Sequence, residues 1–156
     1  MAPCVGGLAV DCATYEDYGY VHLGWAGLGW LSSDQGYFYQ NDEEDEAQGL
    51  TPRTRMLVWD LSDLEDPILA KEHLGLTAAV DHNLYVHGDV IYHSNYDFGV
   101  RIIDIADPAN PLERGFFDTV PEPRGFGSWS IYPWFESGLF VATSWREGIF
   151  VLRLQQ

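Results

Sequence analysis

The sequence is poor in basic side chains. Lys71 is its single lysine, and its 8 lysine and arginine residues face 24 aspartates and glutamates, for a formal charge of −16. That shortage excludes the basic face that nucleic-acid phosphates require, and it excludes docking to anionic lipid. No apolar run approaches the roughly 18 residues needed to cross a bilayer, so no membrane insertion is expected. Cysteine is scarce as well: Cys4 and Cys12 stand eight apart with no metal-ligand spacing around them. They either close a small loop in an oxidising compartment or stay free thiols. The first ten residues contain no Lys or Arg and their apolar stretch ends at Asp11, which is not the pattern of a secretory signal. On that reading the protein stays inside the cell, or the chain is a mature form or a piece of one.

Catalytic signatures are missing too. Gly127-Ser128-Trp129-Ser130 is not a Gly-x-Ser-x-Gly elbow, and no strand-to-helix context surrounds it. No glycine-rich loop follows a strand and opens a helix. No amphipathic helical period is visible anywhere.

Aromatic and β-branched residues are abundant instead. The chain holds 6 Trp, 9 Tyr and 8 Phe, and 46% of it is hydrophobic, enough to build a core despite the charge. These residues recur in a repeat. Thr54-Arg55-Met56-Leu57-Val58-Trp59-Asp60-Leu61 aligns with Phe98-Gly99-Val100-Arg101-Ile102-Ile103-Asp104-Ile105, the two aspartates 44 apart. Seven residues after each aspartate stands a proline, Pro67 and Pro111. A third copy is Gly148-Ile149-Phe150-Val151-Leu152-Arg153. The preceding segments match as well: Asn83–Val86 with Gly88-Asp89 and Val90–His93, and Ser130–Pro133 with Ser137-Gly138 and Leu139–Ala142. A further copy runs from Trp30-Leu31 through Ser33-Asp34-Gln35 to Gly36–Gln40.

Each unit therefore reads as strand, tight turn, strand, loop, strand, Asp/Pro turn, strand. A period of about 40–50 residues with four strands marks a β-propeller blade rather than a sandwich of hairpins. The expected fold is all-β, a partial β-propeller of about three four-stranded blades, over residues 20–76, 77–120 and 121–156, after an extension at 1–19. Closed propellers have about 4–8 blades, so a protein partner or a second copy is expected to complete the ring.

Specific strings support a resemblance. Tyr20–Trp25, Leu31–Phe38, the acidic run Asn41–Glu46, Val58-Trp59-Asp60, Asp81–Val86, Asn95-Tyr96, Gly99-Val100-Arg101, Gly115–Asp118 and Gly148–Arg153 resemble the C-terminal half of the LVIVD-repeat proteins. That family includes choice-of-anchor B surface proteins. The resemblance implies secreted or surface-anchored β-propellers and an extracellular or cell-surface location. Ala26-Gly27-Leu28-Gly29-Trp30 lengthens a segment that is compact in that family.

Because the chain reverses at every strand, residues leading into first strands share a face with the loops between second and third strands. That face gathers His22, Asp81, His82, Asn83, Ser128 and Trp129 with three loops: Asp42–Glu46, Asn95–Asp97 and Ser144–Glu147. The acidic run is either a solvated loop or a hard-cation site, and it lacks the glycine and ligand spacing of an EF-hand. His22, Asp42, Asp81 and His82 are the candidate metal ligands, with calcium the first divalent cation and a transition metal the second. Their structural alternative is hydrogen bonding that fixes contacts between blades. Gly88-Asp89 as a two-residue turn opposes Leu84 to His93 and Val86 to Ile91, placing His82 diagonal to His93. His73 and His87 read as surface residues. Trp25, Trp129 and Trp145 offer a stacking surface for a glycan, with Asn83, Asn95, Tyr96 and Arg146 as further ligand contacts. The function expected is a non-catalytic binding or scaffold module. Its alternative is a metal-dependent hydrolase or oxidoreductase built on the His/Asp cluster.

Overall fold

The computed structural model describes residues 27–120, 122 and 126–155. Cys4, Cys12, His22 and Trp25 lie outside the described residues. Among the described residues the protein is all-β, with eleven strands in three antiparallel sheets and one short helix. Sheet 1 contains β1 (Gly27–Leu31), β2 (Tyr37–Asp42), β3 (Arg55–Asp60) and β4 (Ile68–Leu74) in sequence order. Sheet 2 contains β5 (Asn83–His87), β6 (Val90–Ser94), β7 (Val100–Asp104) and β8 (Leu112–Phe117), again in order. Sheet 3 contains β9 (Ser128–Tyr132), β10 (Leu139–Ser144) and β11 (Gly148–Arg153). The third sheet thus has three strands among the described residues, where four were expected. Among the described residues no helix is long and apolar enough to cross a membrane.

The repeat seen in the sequence extends to individual hydrogen bonds. Asp60 Oδ1 accepts from Ser62 N at 2.8 Å, and Asp104 Oδ1 accepts from Ala106 N at 2.9 Å. Both are Asx turns that begin the link to the fourth strand. The β3–β4 ladder shifts register between Val58 and Trp59, and the β7–β8 ladder shifts between Ile102 and Ile103, the aligned positions. Leu61 N bonds Gly36 O and Ile105 N bonds Asp89 O, each at 2.9 Å, so both links are tied to their first hairpin. Gly88 sits at φ 61° in the β5–β6 turn, a conformation that glycine adopts without steric cost. That turn pairs Leu84 with His93 and Val86 with Ile91, as the spacing requires. Strand β1 takes in Gly27–Trp30, so this part of Ala26–Trp30 is paired to β2 rather than looped out.

Two corrections concern local structure. Asp42–Glu46 is not all loop: Glu43–Ala47 forms a one-turn helix, α1. Asp42 caps it through Glu44 N, and four acidic side chains occupy its first turn, where the helix dipole favours them. One turn is too short to show a 3.6-residue period, so no pattern announced it. His73 is half-buried rather than a surface residue, and its Nε2 is enclosed. Burial, with His93 and Lys71 nearby, lowers its pKa to about 4. His87 is exposed as expected.

The core lies between sheets. Tyr39, Met56 and Val58 of sheet 1 pack on Leu84, Val86, Ile91 and Ile103 of sheet 2. Tyr92 and Val100, from the other side of sheet 2, pack on Ile131, Phe140 and Ala142 of sheet 3. Strand alternation sends Ile91 and Ile103 one way and Tyr92 and Val100 the other, so sheet 2 is buried on both faces. Each such Val or Ile contributes about 1.5–3 kcal/mol on burial. The first strands are neighbours: β1 packs on β5, and β5 on β9. Hydrogen bonds cross the same seams, from Asn41 Nδ2 to His82 O at 2.9 Å and from Asn83 Nδ2 to Trp129 O at 2.9 Å.

Candidate functional site

Strand reversal brings α1, the β6–β7 loop, the β10–β11 turn and the lead-ins to β5 and β9 to one end of the sheets. At the centre of this face, Tyr96 Oη donates to Glu43 Oε1 at 2.6 Å. His82 Nδ1 lies 2.9 Å from Glu43 Oε2 and 2.9 Å from Tyr96 Oη. The three side chains come from separate segments of two sheets and form a closed triangle. Burial, and then the bond to the Glu43 carboxylate, pushes the Tyr96 phenol above its ordinary pKa. Tyr96 therefore stays a donor at neutral pH.

The Tyr96 backbone is in the left-handed region, at φ 34°, which is uncommon for a bulky residue. Its carbonyl accepts from Gly99 N at 3.0 Å and from Ser128 N at 2.9 Å. The second bond joins the loop of sheet 2 to the start of sheet 3. A Cβ on Gly127 would stand 2.3 Å from that carbonyl, so the approach requires glycine.

Aromatic rings continue from the triangle toward solvent. The His82 ring lies 4.0 Å from the Trp129 ring, centroid to centroid, and Trp129 lies 4.6 Å from Trp145. Phe126 lies 5.2 Å from Trp145 and 6.0 Å from Tyr96. The Trp129–Trp145, Phe126–Trp145 and Phe126–Tyr96 separations fall in the range in which rings attract one another beyond their buried area. The outer members are open: Trp145 is 56% exposed and Phe126 42%. The face therefore presents an aromatic platform with a carboxylate and an imidazole along one side.

Beneath it lies a buried polar layer. Asp81 Oδ1 accepts from Asn41 Nδ2 at 3.1 Å, and its Oδ2 lies 3.5 Å from His93 Nε2. Asp45 is ion-paired to Arg55, whose Nε–H reaches it at 2.7 Å. Glu46 Oε1 accepts from Arg55 N at 2.8 Å. Burial, and then the nearby Asp81 carboxylate, raises Glu46 to about 8, against the pull of two backbone amides. Asp42 is also raised, chiefly by burial.

The residues singled out from the sequence divide into groups. Tyr96, Trp129 and Trp145 meet on the platform, and His82 joins them. Arg146 is exposed in the β10–β11 turn beside Trp145. Asn83 and Asn95 are internal fastenings instead: Asn83 holds Trp129 O, and buried Asn95 donates to Thr54 Oγ1 at 3.3 Å. Of the candidate metal ligands, Asp42 caps α1, Asp81 is buried against Asn41 and His93, and His82 faces Glu43 and Tyr96. Among the described residues no group of three or more His, Cys, Asp and Glu side chains is placed to hold a metal ion. Sequence reading passed over Glu43 and Phe126. Glu43 lay inside the acidic run without a mark of its own, and Phe126 belongs to no strand pattern. No family model matches the chain, and no curated protein matches it.

Proposed function

We propose that the protein is a non-catalytic glycan-binding module built from β-propeller blades. Its ligand surface is the platform of Trp129, Trp145 and Phe126, edged by Glu43, His82 and Tyr96. The observation that carries this reading is the run of tilted rings from His82 through Trp129 to Trp145, which ends in the exposed Trp145 and begins beside the Glu43 carboxylate. A sugar ring has one apolar face that packs on such rings and hydroxyls at its edge that bond to carboxylate and imidazole. The net charge of −16 disfavours uronic-acid and sulfated glycans, so the ligand class is a neutral oligosaccharide.

Two things support the propeller reading. Sheets 1 and 2 share hydrogen-bond and bulge positions, and the first strands of all three sheets sit side by side. The resemblance to LVIVD-repeat proteins points the same way and implies a cell-surface setting. The pre-formed loops need no rearrangement, which keeps the ordering cost of binding low.

The test is a panel of neutral cello-, chito- and manno-oligosaccharides, with affinities measured by calorimetry. At least one is expected to bind, and Trp145→Ala to weaken it about tenfold or more. Absence of binding across the panel overturns the glycan reading. Stoichiometric zinc, iron or manganese in the purified protein would favour the metal-dependent hydrolase or oxidoreductase reading instead.

A further inference from the structure

The three sheets pack by one rule. In the ladders, Tyr39 pairs with Val58, Tyr92 with Ile102, and Val141 with Val151. One step along, Asn41 pairs with Met56, Ser94 with Val100, and Thr143 with Ile149. These are corresponding positions of the repeat. In sheet 1 they face sheet 2, and in sheet 2 they face sheet 3. In sheet 3 the alternate residues, Phe140, Ala142, Phe150 and Leu152, face sheet 2, so Val141, Ile149 and Val151 point outward. Val100 is 0% exposed, but Ile149, its counterpart, is 70% exposed and Val151 is 63%. Beside them Tyr132, Val141, Thr143 and Trp134 line an open groove of about 250 Å³. The packing surface of the first two sheets is thus built a third time and left open.

The complementary surface stands on sheet 1. Sheets 2 and 3 receive their neighbour on the pairs Ile91–Ile103 and Phe140–Leu152. The corresponding pair in sheet 1 is Phe38–Trp59, followed by Leu57. Met56 and Val58 face sheet 2, so Leu57 and Trp59 face away from it. Charge agrees with this pairing. Residues 27–76 carry 11 acidic and 3 basic side chains, net −8, and residues 126–155 carry 2 of each, net 0. Sheet 3 against sheet 1 brings a segment without net charge to an acidic one, whereas two sheets 1 back to back bring two acidic segments together.

We propose that a second copy of the chain docks head-to-tail, with Val141, Ile149 and Val151 of one copy on Phe38, Leu57 and Trp59 of the next. The contact continues the interface that already joins sheets 1, 2 and 3. Being heterologous, it generates a closed ring or a longer array rather than a face-to-face pair. It rests on sheet packing and segment charge and stands independently of the glycan reading.

Size-exclusion chromatography with light scattering, over a range of concentrations, tests it. The wild-type protein is expected at no less than twice its 17.6 kDa chain mass. An Ile149→Asp/Val151→Asp variant and a Leu57→Asp variant, each with wild-type circular dichroism, are expected at monomer mass. Mixing the two variants restores one intact contact, so their mixture is expected to form a pair. A wild-type monomer throughout overturns the proposal. So does an L57D protein of unchanged mass, or a mixture that stays monomeric, since either outcome means sheet 3 pairs with something other than sheet 1.

Discussion

The Tyr96 hydroxyl donates a 2.6 Å hydrogen bond to Glu43, 53 residues earlier in the chain and on the helix between β2 and β3. That bond ties the β6–β7 loop to α1 and holds the His82 ring between them. A hydrogen bond to a carboxylate contributes on the order of 1.5–3 kcal/mol. Tyr96→Phe keeps the ring and removes the donor, and Glu43→Ala removes the acceptor. In a double-mutant cycle followed by urea unfolding, the two are expected to couple by about 1 kcal/mol. Additive effects would mean that the pair is not formed in solution.

Gly99 and Gly49 both have positive φ, yet their surroundings differ. A Cβ at Gly99 would stand 2.1 Å from Phe117 O, whereas at Gly49 it would meet nothing. Gly49→Ala carries the conformational cost alone, about 1–2 kcal/mol. Gly99→Ala adds a backbone clash and is expected to cost at least twice as much, read as the difference in melting temperature. Equal losses would contradict the close approach of β7 and the end of β8.

Glu46 has a folded pKa of about 8 against an ordinary value of 4.5. Between those values the folded protein keeps a proton that the unfolded chain releases, so stability falls as pH rises from 4.5 to 8. Glu46→Gln removes this dependence. Its melting temperature is expected to exceed that of the wild type by a few degrees at pH 8 and to match it near pH 4.5. A difference that does not change with pH would show the carboxyl to be ordinary.

His73 acts in the opposite direction. Its pKa falls from 6.5 to about 4 in the folded protein, chiefly through burial. The unfolded chain takes up a proton in that window and the folded chain does not, so stability falls as pH drops from 6.5 to 4. His73→Gln is expected to flatten the melting temperature between pH 6.5 and 4.5. An unchanged slope would place the imidazole in solvent.

Much of this architecture is legible in the chain, because its determinants are local. Gly88-Asp89 suits a two-residue turn, and that turn sets Leu84 opposite His93. Asp60 and Asp104 occupy the same repeat position and make the same backbone bond. Strand reversal alone places His82, Tyr96, Trp129 and Trp145 at one end. What stays hidden depends on rotation and depth. Asp42 and Glu43 are adjacent in an acidic run, and only the one-turn helix turns Glu43 toward His82 and leaves Asp42 as its cap. Asn83 and Asn95 have the chemistry of ligand contacts, yet both bond protein groups across or beneath the sheets. His73 lies on β4, where alternation cannot reveal that the region around His93 encloses it.

The glycan reading is tested most directly by the indole N–H signals in a heteronuclear NMR titration with the neutral oligosaccharide panel. The Trp59 indole is an internal control, since its Nε1–H is held by Gln40 Oε1 at 2.9 Å, away from the platform. The expected result is that a bound saccharide shifts the Trp129 and Trp145 signals and leaves Trp59 in place, with the Trp145 change lost in Trp145→Ala. A spectrum unmoved by every saccharide, or one in which Trp59 shifts and Trp129 and Trp145 do not, would contradict it.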